Sequence, residues 1–281
     1  MVYFYYQLLS ARVKILRRNA VTYQQRKKQV WSYLGKNVEI KIDRPIGYIH
    51  KKENYTLKYK INYGYIPDVI GGDGEELDVY VLGINKPLER FNGRIIGIVN
   101  RENDVEDKLV AAPEGMILNQ ARIAEQVHFQ EKYYKTSIDA LYQKSCGAVV
   151  YRSYRGINEY LLLLQKKSHT WSFPKGHMEA YESERQTAIR EVKEETGYKV
   201  NLARSFRHEI KYTVGGLVQK SVVLYLAKVR GTPSIQKSEI SSYKWVNAED
   251  AKKLLFGNYH SIIDSAEKYI AENSRTARHL R

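Results

Sequence analysis

The sequence has little cysteine and no long apolar run. Cys146 is the single cysteine in 281 residues, which excludes a disulfide framework within one chain and fits a reducing compartment. The sequence contains no stretch of about 18 apolar residues, so it predicts no transmembrane helix. Its first ten residues are mostly apolar and the basic residues follow them, which is the reverse of the order in a signal peptide. We therefore expect a cytoplasmic protein, and the oligomeric state stays open.

Acidic residues are missing from the first 36 positions. This segment carries eight Lys or Arg residues, in a chain whose formal net charge is +15. They are Arg12, Lys14, Arg17, Arg18, Arg26, Lys27, Lys28 and Lys36. Such a basic leader suits contact with nucleic acid or an anionic membrane surface. The alternative is a poorly ordered tail without a partner.

The length of the chain allows two domains of ordinary size. We expect a basic leader at 1–36, a β-rich domain at 37–118, a polar helix or linker at 119–140 and a second domain at 141–281. Strand patterns and helical patterns are mixed, which predicts the α+β class. Cys146 directly precedes an apolar strand pattern, so we expect it to be a small core residue rather than a nucleophile.

The acidic segment 176–198 carries the strongest functional signal. Glu191, Glu194 and Glu195 are spaced i, i+3 and i+4, so they share one face of a helix that Gly176 and Gly197 bracket. Like charges at this spacing destabilise a helix unless a cation lies among them. Carboxylates suit Mg²⁺, which prefers substrates that bring phosphate oxygens. We therefore expect Mg²⁺ at this helix, with Mn²⁺ as the alternative ion.

The spacing of this segment matches a known signature. Gly176 is followed by five residues, Glu182, seven residues and then the run from Arg190 to Tyr198. The pattern resembles the Nudix box at every defined position. The resemblance implies an α/β/α fold around a mixed sheet, and hydrolysis of a nucleoside diphosphate linked to another group. It also implies an orienting Arg190–Glu182 ion pair, structural roles for Gly176 and Gly197, and four candidate metal ligands: Glu182, Glu191, Glu194 and Glu195.

The lead-in to the box, residues 173–177, is more specific. Phe-Pro-Lys-Gly-His is similar to asymmetric diadenosine tetraphosphate hydrolases and to some bacterial RNA 5′-pyrophosphohydrolases. Lys175 is placed to meet a phosphate as a point charge. His177 either hydrogen-bonds a phosphate or caps the loop.

Further candidates lie inside and beyond the box. The general base is either Glu191 or Glu239, because relatives of this subgroup carry a late Glu just ahead of a Trp-containing strand. A purine base needs an aromatic face for stacking, and Tyr212 and Tyr243 are the candidates, each with a core role as the alternative. Lys220 lies where the subgroup places a basic residue that faces the phosphates.

The β-rich domain resembles a second family. Segments 62–67, 73–78 and 104–110 follow one another as in soluble family I inorganic pyrophosphatase. The resemblance implies a second metal and phosphate site at Asp73, Glu75, Asp78, Asp107, Lys108 and Tyr65, with Glu75 where the family prefers Asp. Arg44 is a poor counterpart of the family's substrate-binding arginine, and we expect no late Tyr-Lys segment after Leu109. Turnover, binding without turnover and a scaffold role stay open.

Three functions follow from these patterns. The leading one is Mg²⁺-dependent hydrolysis of a dinucleoside polyphosphate such as diadenosine tetraphosphate, split to ATP and AMP. The second acts on an RNA 5′ end or a nucleoside triphosphate, and its pyrophosphate product is consumed by the first domain. The third is a non-catalytic nucleotide-sensing or RNA-binding module. The complete set of box glutamates argues against the third, because a pure binder does not need them.

Overall fold

The chain forms two compact units in a computed structural model that describes residues 23–52 and 55–279. The first unit holds the described residues up to Leu118 together with Arg122–Leu141. The second holds Asn119–Ala121 and the described residues from Tyr142 onward. Positions 1–22, which make up most of the predicted basic leader, lie outside the described residues. In the described part of the chain, no helix is long and apolar enough to cross a membrane.

The first unit is rich in β-structure, as predicted. Its elements are α1 (Tyr23–Tyr33), β1 (Asn37–Arg44), β2 (Ile49–Lys52), β3 (Tyr55–Lys58), β4 (Asn62–Ile70), β5 (Glu76–Val81), β6 (Arg90–Arg101), β7 (Lys108–Ala112), α2 (Gln120–Glu131) and β8 (Thr136–Ala140). The first two residues of α2 belong to the second unit.

Five strands of the first unit close into a barrel. The order is β1-β4-β5-β7-β6, and β6 pairs again with β1. The barrel can close because β6 is long enough to pair with two strands along one edge. Its residues 90–94 pair with β1, and its residues 97–101 pair with β8. The β2–β3 hairpin forms a separate two-stranded sheet. Buried apolar side chains such as Ile40, Val79 and Ile98 pack the first unit.

The structure divides the first 140 residues differently from the sequence-based boundaries. Part of the expected leader is helix α1, where Arg26 and Lys27 form ion pairs with the buried Asp107 at 3.3 and 3.0 Å. Residues 119–140 do not form a separate linker, because β8 pairs with β6 and extends the first unit's sheet. Local polarity suggested a linker there, but strand pairing with a distant segment decides the structure.

The second unit alternates strands and helices. Its elements are β9 (Tyr142–Tyr154), β10 (Ile157–Gln165), β11 (Trp171–Ser172), β12 (Lys175–His177), α3 (Glu184–Thr196), β13 (Leu202–Val214), β14 (Val218–Lys228), β15 (Ile240–Val246), α4 (Ala248–Leu254), a 3₁₀ turn (Gly257–Tyr259) and α5 (His260–His279).

These elements form three layers around a mixed sheet, which confirms the predicted fold. The sheet order is β11-β10-β9-β14-β13, and β9 and β14 run parallel. Successive residues point to opposite faces: Ala148 and Val150 pack with helix α3, whereas Val149 packs with α4 and α5. Cys146 is fully buried on the α3 face, and burial raises the pKa of its thiol to about 12. It is therefore a core residue, as predicted.

Candidate active site

Helix α3 has defined ends that fix where its carboxylates lie. Ser183 caps the first turn and Gln186 bonds back to the Ser183 backbone, which forms a capping box. Gly197 ends the helix with a left-handed φ of 74°, a conformation that favours glycine. Thr187, Ala188 and Val192 are buried on this helix, which leaves Glu191 and its neighbours at the edge of the packed face.

Arg190 lies at the centre of the carboxylates. Its guanidinium donates two hydrogen bonds to Glu182, at 2.7 and 2.9 Å. It also donates one to Glu191 at 2.7 Å and one to Glu194 at 3.1 Å. The hydrogen bonds from Arg190 hold the pKa of Glu182 at about 2. Glu182 is therefore a fixed anion that orients Arg190, and Arg190 in turn positions the other two glutamates.

Glu195 and Glu191 are the desolvated members of the group. Glu195 is buried, accepts a 2.9 Å bond from the Lys175 backbone, and has its pKa raised to about 7 by burial. Burial also raises the pKa of Glu191, and the nearby charges of Glu194 and Glu239 add to that rise. Both carboxylates are thus costly to keep ionised without a cation, which is the electrostatic signature of a functional site.

Gly176 lets the loop approach Glu191. A Cβ atom at position 176 would lie 2.2 Å from the carboxylate oxygens of Glu191. Any larger residue would displace that carboxylate. The glycine that begins the box therefore leaves the space in which Glu191 and an added ligand must fit.

An aromatic cavity of about 460 Å³ adjoins this group. Its lining includes Lys175, Trp171, Tyr212, Phe256 and Tyr259. The charges of Glu195 and Glu191 act on the Lys175 ammonium, whose pKa is lowered by burial. Lys175 therefore links the carboxylates to the aromatic cavity.

The remaining candidates divide between the two faces of the sheet. Lys220 pairs with Tyr212 across the strands, its Nζ lies 3.5 Å from the His177 ring, and burial together with the Lys175 charge lowers its pKa. Tyr243 instead pairs with Leu163, which packs on the α3 face, so the structure does not place Tyr243 in the cavity. Glu239 is exposed and close enough for its charge to act on Glu191.

The sequence reasoning missed Phe256, which is 64% exposed and lines the cavity. The sequence signal that could have identified it is an aromatic residue directly before Gly257 and Asn258, in the loop between two helical patterns. Phe256 lies between α4 and the 3₁₀ turn, so its exposed ring does not belong to the packed face of either.

The first unit has a larger cavity of about 510 Å³. Of the six predicted second-site residues, Asp73, Asp78 and Lys108 line it. The Lys108 ammonium lies between Asp78 and Glu106, and contacts both carboxylates. Burial raises the pKa of Glu106 to about 7.

The other three predicted residues are not part of the cavity lining. Asp107 is fully buried against Arg26 and Lys27, and it accepts a 3.0 Å bond from the Arg101 backbone. The Glu75 backbone N–H donates a hydrogen bond to the Asp73 carboxylate, and the Lys41 ammonium lies 5.8 Å from the centre of the Tyr65 ring. Successive side chains point to opposite sides of an extended chain, so Lys108 shares its side with Glu106 and not with Asp107. This explains why Asp107 was wrongly predicted to lie beside Lys108.

The cavity also corrects two expectations about missing residues. Arg44 lines it, donates a 2.7 Å bond to the Tyr59 hydroxyl and lies 5.1 Å from the ring centre of Tyr63. Tyr133 and Tyr134 line it as well, and Lys135 follows them in the chain. A late Tyr-Lys segment is therefore present, and assigning residues 119–140 to a linker concealed it.

Comparison with known proteins agrees with the chemistry of the second unit. Residues 141–264 match the NUDIX domain model. The asymmetrical bis(5′-nucleosyl)-tetraphosphatase of Caenorhabditis elegans is 38% identical over 116 residues, which are 40% of this chain and 83% of that protein. The chain belongs to the Nudix family. A solved C. elegans Ap4A hydrolase binary complex is 31% identical, covers 46% of this chain and 98% of its own, and has a TM-score of 0.44.

The first unit matches a second family. Residues 31–143 match the inorganic pyrophosphatase model. An inorganic pyrophosphatase of Mesorhizobium japonicum is 26% identical over 104 residues, which are 34% of this chain and 59% of that protein. The chain therefore combines a pyrophosphatase-like unit with a Nudix unit, and it is a Nudix-type pyrophosphohydrolase.

Both families generally depend on divalent metal ions, and the Nudix carboxylates fit such an ion. Within residues 23–52 and 55–279, no three His, Cys, Asp or Glu side chains converge in a ligating arrangement. In the Nudix unit, the Arg190 guanidinium lies among Glu182, Glu191 and Glu194 instead. The oxygen donors, the desolvation of Glu191 and Glu195, and the space that Gly176 leaves all suit a hard cation.

Proposed function

We propose that this Nudix enzyme hydrolyses a dinucleoside polyphosphate such as diadenosine tetraphosphate to ATP and AMP. The observation that carries the proposal is the position of Lys175, between the carboxylates and an aromatic cavity. A phosphate chain at the carboxylates would pass Lys175, and one purine would enter the cavity beside Trp171, Tyr212 and Phe256. Similarity to asymmetrical tetraphosphatases supports the same substrate class.

The glutamates divide into two roles in this proposal. Glu191, Glu194 and Glu195 would hold Mg²⁺, which would neutralise phosphate charge and polarise a water molecule. Glu182 keeps Arg190 oriented through its two-bond contact, and Arg190 holds Glu191 and Glu194 in place before substrate arrives.

Glu239 is the better candidate for the general base. Burial raises the pKa of Glu191, but its carboxylate already contacts Arg190 at 2.7 Å and is assigned to the metal ion in this proposal. Glu239 is exposed and close to Glu191, so it is free to accept a proton from the attacking water. A general base of this kind contributes roughly 10²–10⁴-fold in rate.

Lys220 and His177 complete the phosphate contacts. The Lys220 Nζ and His177 Nε2 atoms are 3.5 Å apart, and burial together with the charge of Lys175 lowers the pKa of Lys220. A polyphosphate between Lys175 and Lys220 would relieve the repulsion between the two cations.

A substrate panel tests the proposal. The full chain is incubated with Mg²⁺ and, in parallel, diadenosine tetraphosphate, 5′-triphosphorylated RNA and a nucleoside triphosphate, and the products are separated by chromatography. We expect diadenosine tetraphosphate to have the highest kcat/KM, with a Glu195→Gln variant as the inactive control. Preferential release of phosphate or pyrophosphate from the RNA would instead support an RNA 5′-pyrophosphohydrolase.

A further inference from the structure

Four planar side chains form a continuous stack at one end of the Nudix sheet. The Arg152 guanidinium carbon lies 4.4 Å from the centre of the Trp245 ring and 5.4 Å from the centre of the Tyr154 ring. The Arg155 guanidinium carbon lies 5.2 Å from the same Tyr154 ring. Rings and guanidinium groups therefore alternate along this aromatic–arginine ladder, which consists of Trp245, Arg152, Tyr154 and Arg155. Both kinds of group present flat faces on which a nucleobase stacks.

The ladder is anchored at one end and open at the other. Trp245 pairs with Leu161 and packs against the core beneath helix α3. Arg152 is held by an ion pair with Glu159 at 2.7 Å. Tyr154, at the other end, is 49% exposed. A ligand can therefore reach the Tyr154 ring without any change in the packed part of the ladder.

The turn between β9 and β10 carries an unexpected arginine. Tyr154 pairs with Ile157, so Arg155 and Gly156 are the two central residues of the hairpin, with φ of 50° and 82°. Left-handed φ at both positions is typical of a type I′ turn, which favours Asn-Gly. Arginine is a less favourable residue there, and Arg155 has no acidic partner among the described residues. Turn geometry therefore does not explain Arg155, whereas a free cation beside an exposed ring suits an anionic ligand that carries rings.

The ladder lies on the same face of the sheet as the catalytic helix. Gln165, at one end of β10, contacts Glu195 at 3.4 Å. Trp245 pairs with Leu161, which is four residues, or about 13 Å, back along that strand. Tyr243 lies between the two positions on this face and is partly exposed. Tyr243, which the sequence predicted to stack on a base, thus points to the ladder rather than to the purine cavity.

The charge and the shape of the ladder favour a single-stranded nucleic acid. Two guanidinium groups face one carboxylate, Glu159, and the whole chain has a formal net charge of +15. Guanidinium groups both stack on rings and bind phosphate. An acidic peptide would satisfy these charges but would leave the flat faces unused. Consecutive stacking faces match the unstacked bases of a single strand, whereas the bases of a duplex are stacked on one another.

We propose that the aromatic–arginine ladder binds single-stranded nucleic acid, with bases against the Tyr154 ring and the guanidinium faces, and with phosphates beside Arg155. This surface is separate from the cavity that takes a purine in the proposed function. It is also independent of which substrate the Nudix carboxylates hydrolyse.

Fluorescence anisotropy of the full chain with labelled oligonucleotides tests the proposal. The probes are an RNA of about 12 nucleotides with a 5′-hydroxyl end, which offers the Nudix carboxylates no phosphate chain, and the DNA of the same sequence. We expect Tyr154→Ala to weaken binding about tenfold and Tyr154→Phe to retain it. Tyr133→Ala, which removes an exposed tyrosine of the first unit, is the matched control and should leave binding unchanged.

A second variant separates binding from folding. Arg155→Asn gives the turn a residue that it favours, so the stability of the Nudix unit should be retained or increased in denaturant unfolding. Binding should nevertheless weaken, and the slope of log affinity against log salt concentration should decrease in magnitude by about 0.7 for the lost phosphate contact. Unchanged affinity and unchanged slope in this variant would contradict a role for Arg155.

Ultraviolet crosslinking followed by peptide mapping locates the bound strand directly. We expect adducts within residues 152–157 or 243–246. Hydrolysis of diadenosine tetraphosphate by Tyr154→Ala should equal that of the unmodified chain, so this assay tests the proposed function separately. The ladder proposal is overturned if neither oligonucleotide binds, if adducts form only elsewhere, such as in the basic leader, or if Tyr154→Ala binds as tightly as the unmodified chain.

Discussion

At the scale of single residues, the Nudix site is a set of carboxylates organised by one arginine. Arg190 contacts three of them, and Glu195 is held separately by the Lys175 backbone. Glu194 is the most exposed of these ligand candidates, with half of its side chain accessible. It is therefore the residue whose charge is removed with the least effect on folding.

We expect Glu194→Gln to lower kcat for diadenosine tetraphosphate by at least about 100-fold, because a lost metal ligand removes several kcal/mol of charge stabilisation. The free energy of unfolding should change by only about 0.5 kcal/mol, since the side chain has a single exposed contact. Lys193→Gln, on the same helix, is the matched control and should keep its turnover. Full activity of Glu194→Gln would show that this carboxylate is not a ligand.

A smaller change tests the space beside Glu191. Gly176→Ala places a Cβ within 2.2 Å of the Glu191 carboxylate, which is the far end of a flexible side chain and moves away at small cost. We expect kcat to fall more than tenfold while the unfolding free energy falls by about 1 kcal/mol. Steady-state kinetics and denaturant unfolding measure the two effects. Equal activity in the variant would mean that Glu191 need not occupy its observed position.

At the scale of elements, helix α3 was predictable because its capping residues and glycines are local signals. The side of β7 that faces the first cavity was not predictable, because the phase of alternation depends on where the strand begins. In the two residues just before β7, that phase separates Glu106, which lines the cavity, from Asp107, which contacts Arg26 and Lys27 instead. The aromatic cavity of the Nudix unit likewise joins Trp171 to Phe256, and no local pattern reveals such a contact.

The first turn of α3 gives a pH-dependent prediction. Glu184 contacts Lys144 at 2.6 Å and Arg207 at 2.8 Å, and these hydrogen bonds lower its pKa to about 2. A carboxylate with a depressed pKa stabilises the fold above its ordinary pKa and loses that effect as the pH falls towards the folded value.

We therefore expect Glu184→Gln to destabilise the Nudix unit by about 2 kcal/mol at pH 7, with the difference shrinking between about pH 4.5 and pH 2. Denaturant unfolding at several pH values measures this difference, and the exposed Glu249→Gln serves as control. A difference that stays constant down to pH 3 would contradict the assigned ion pairs.

The corrected register of the first unit is testable by two neighbouring substitutions. Asp107→Asn removes the charge that Arg26 and Lys27 contact, so we expect the first unit to lose about 3 kcal/mol of stability in denaturant unfolding at pH 7. Glu106→Gln should cost less stability, because burial raises the pKa of Glu106 to about 7 and Lys108 keeps its contact with Asp78. A larger loss of stability in Glu106→Gln than in Asp107→Asn would contradict these positions of the two carboxylates.

At the scale of the whole molecule, the chain joins a pyrophosphatase-like unit to a Nudix unit. The sequence predicted both families and the α+β class, because their motifs are local and their strands alternate clearly. It did not predict that Arg122–Leu141 complete the first unit, since a strand at a sheet edge is defined by its partner.

The central claim is asymmetric hydrolysis of a dinucleoside polyphosphate by the Nudix carboxylates. The most direct measurement is a time course of the products formed from diadenosine tetraphosphate by the full chain with Mg²⁺, separated by ion-exchange chromatography. We predict ATP and AMP in equal amounts from the earliest time point, and no products with Glu195→Gln. Formation of two ADP molecules, or no consumption of this substrate while triphosphorylated RNA is cleaved, would contradict the account.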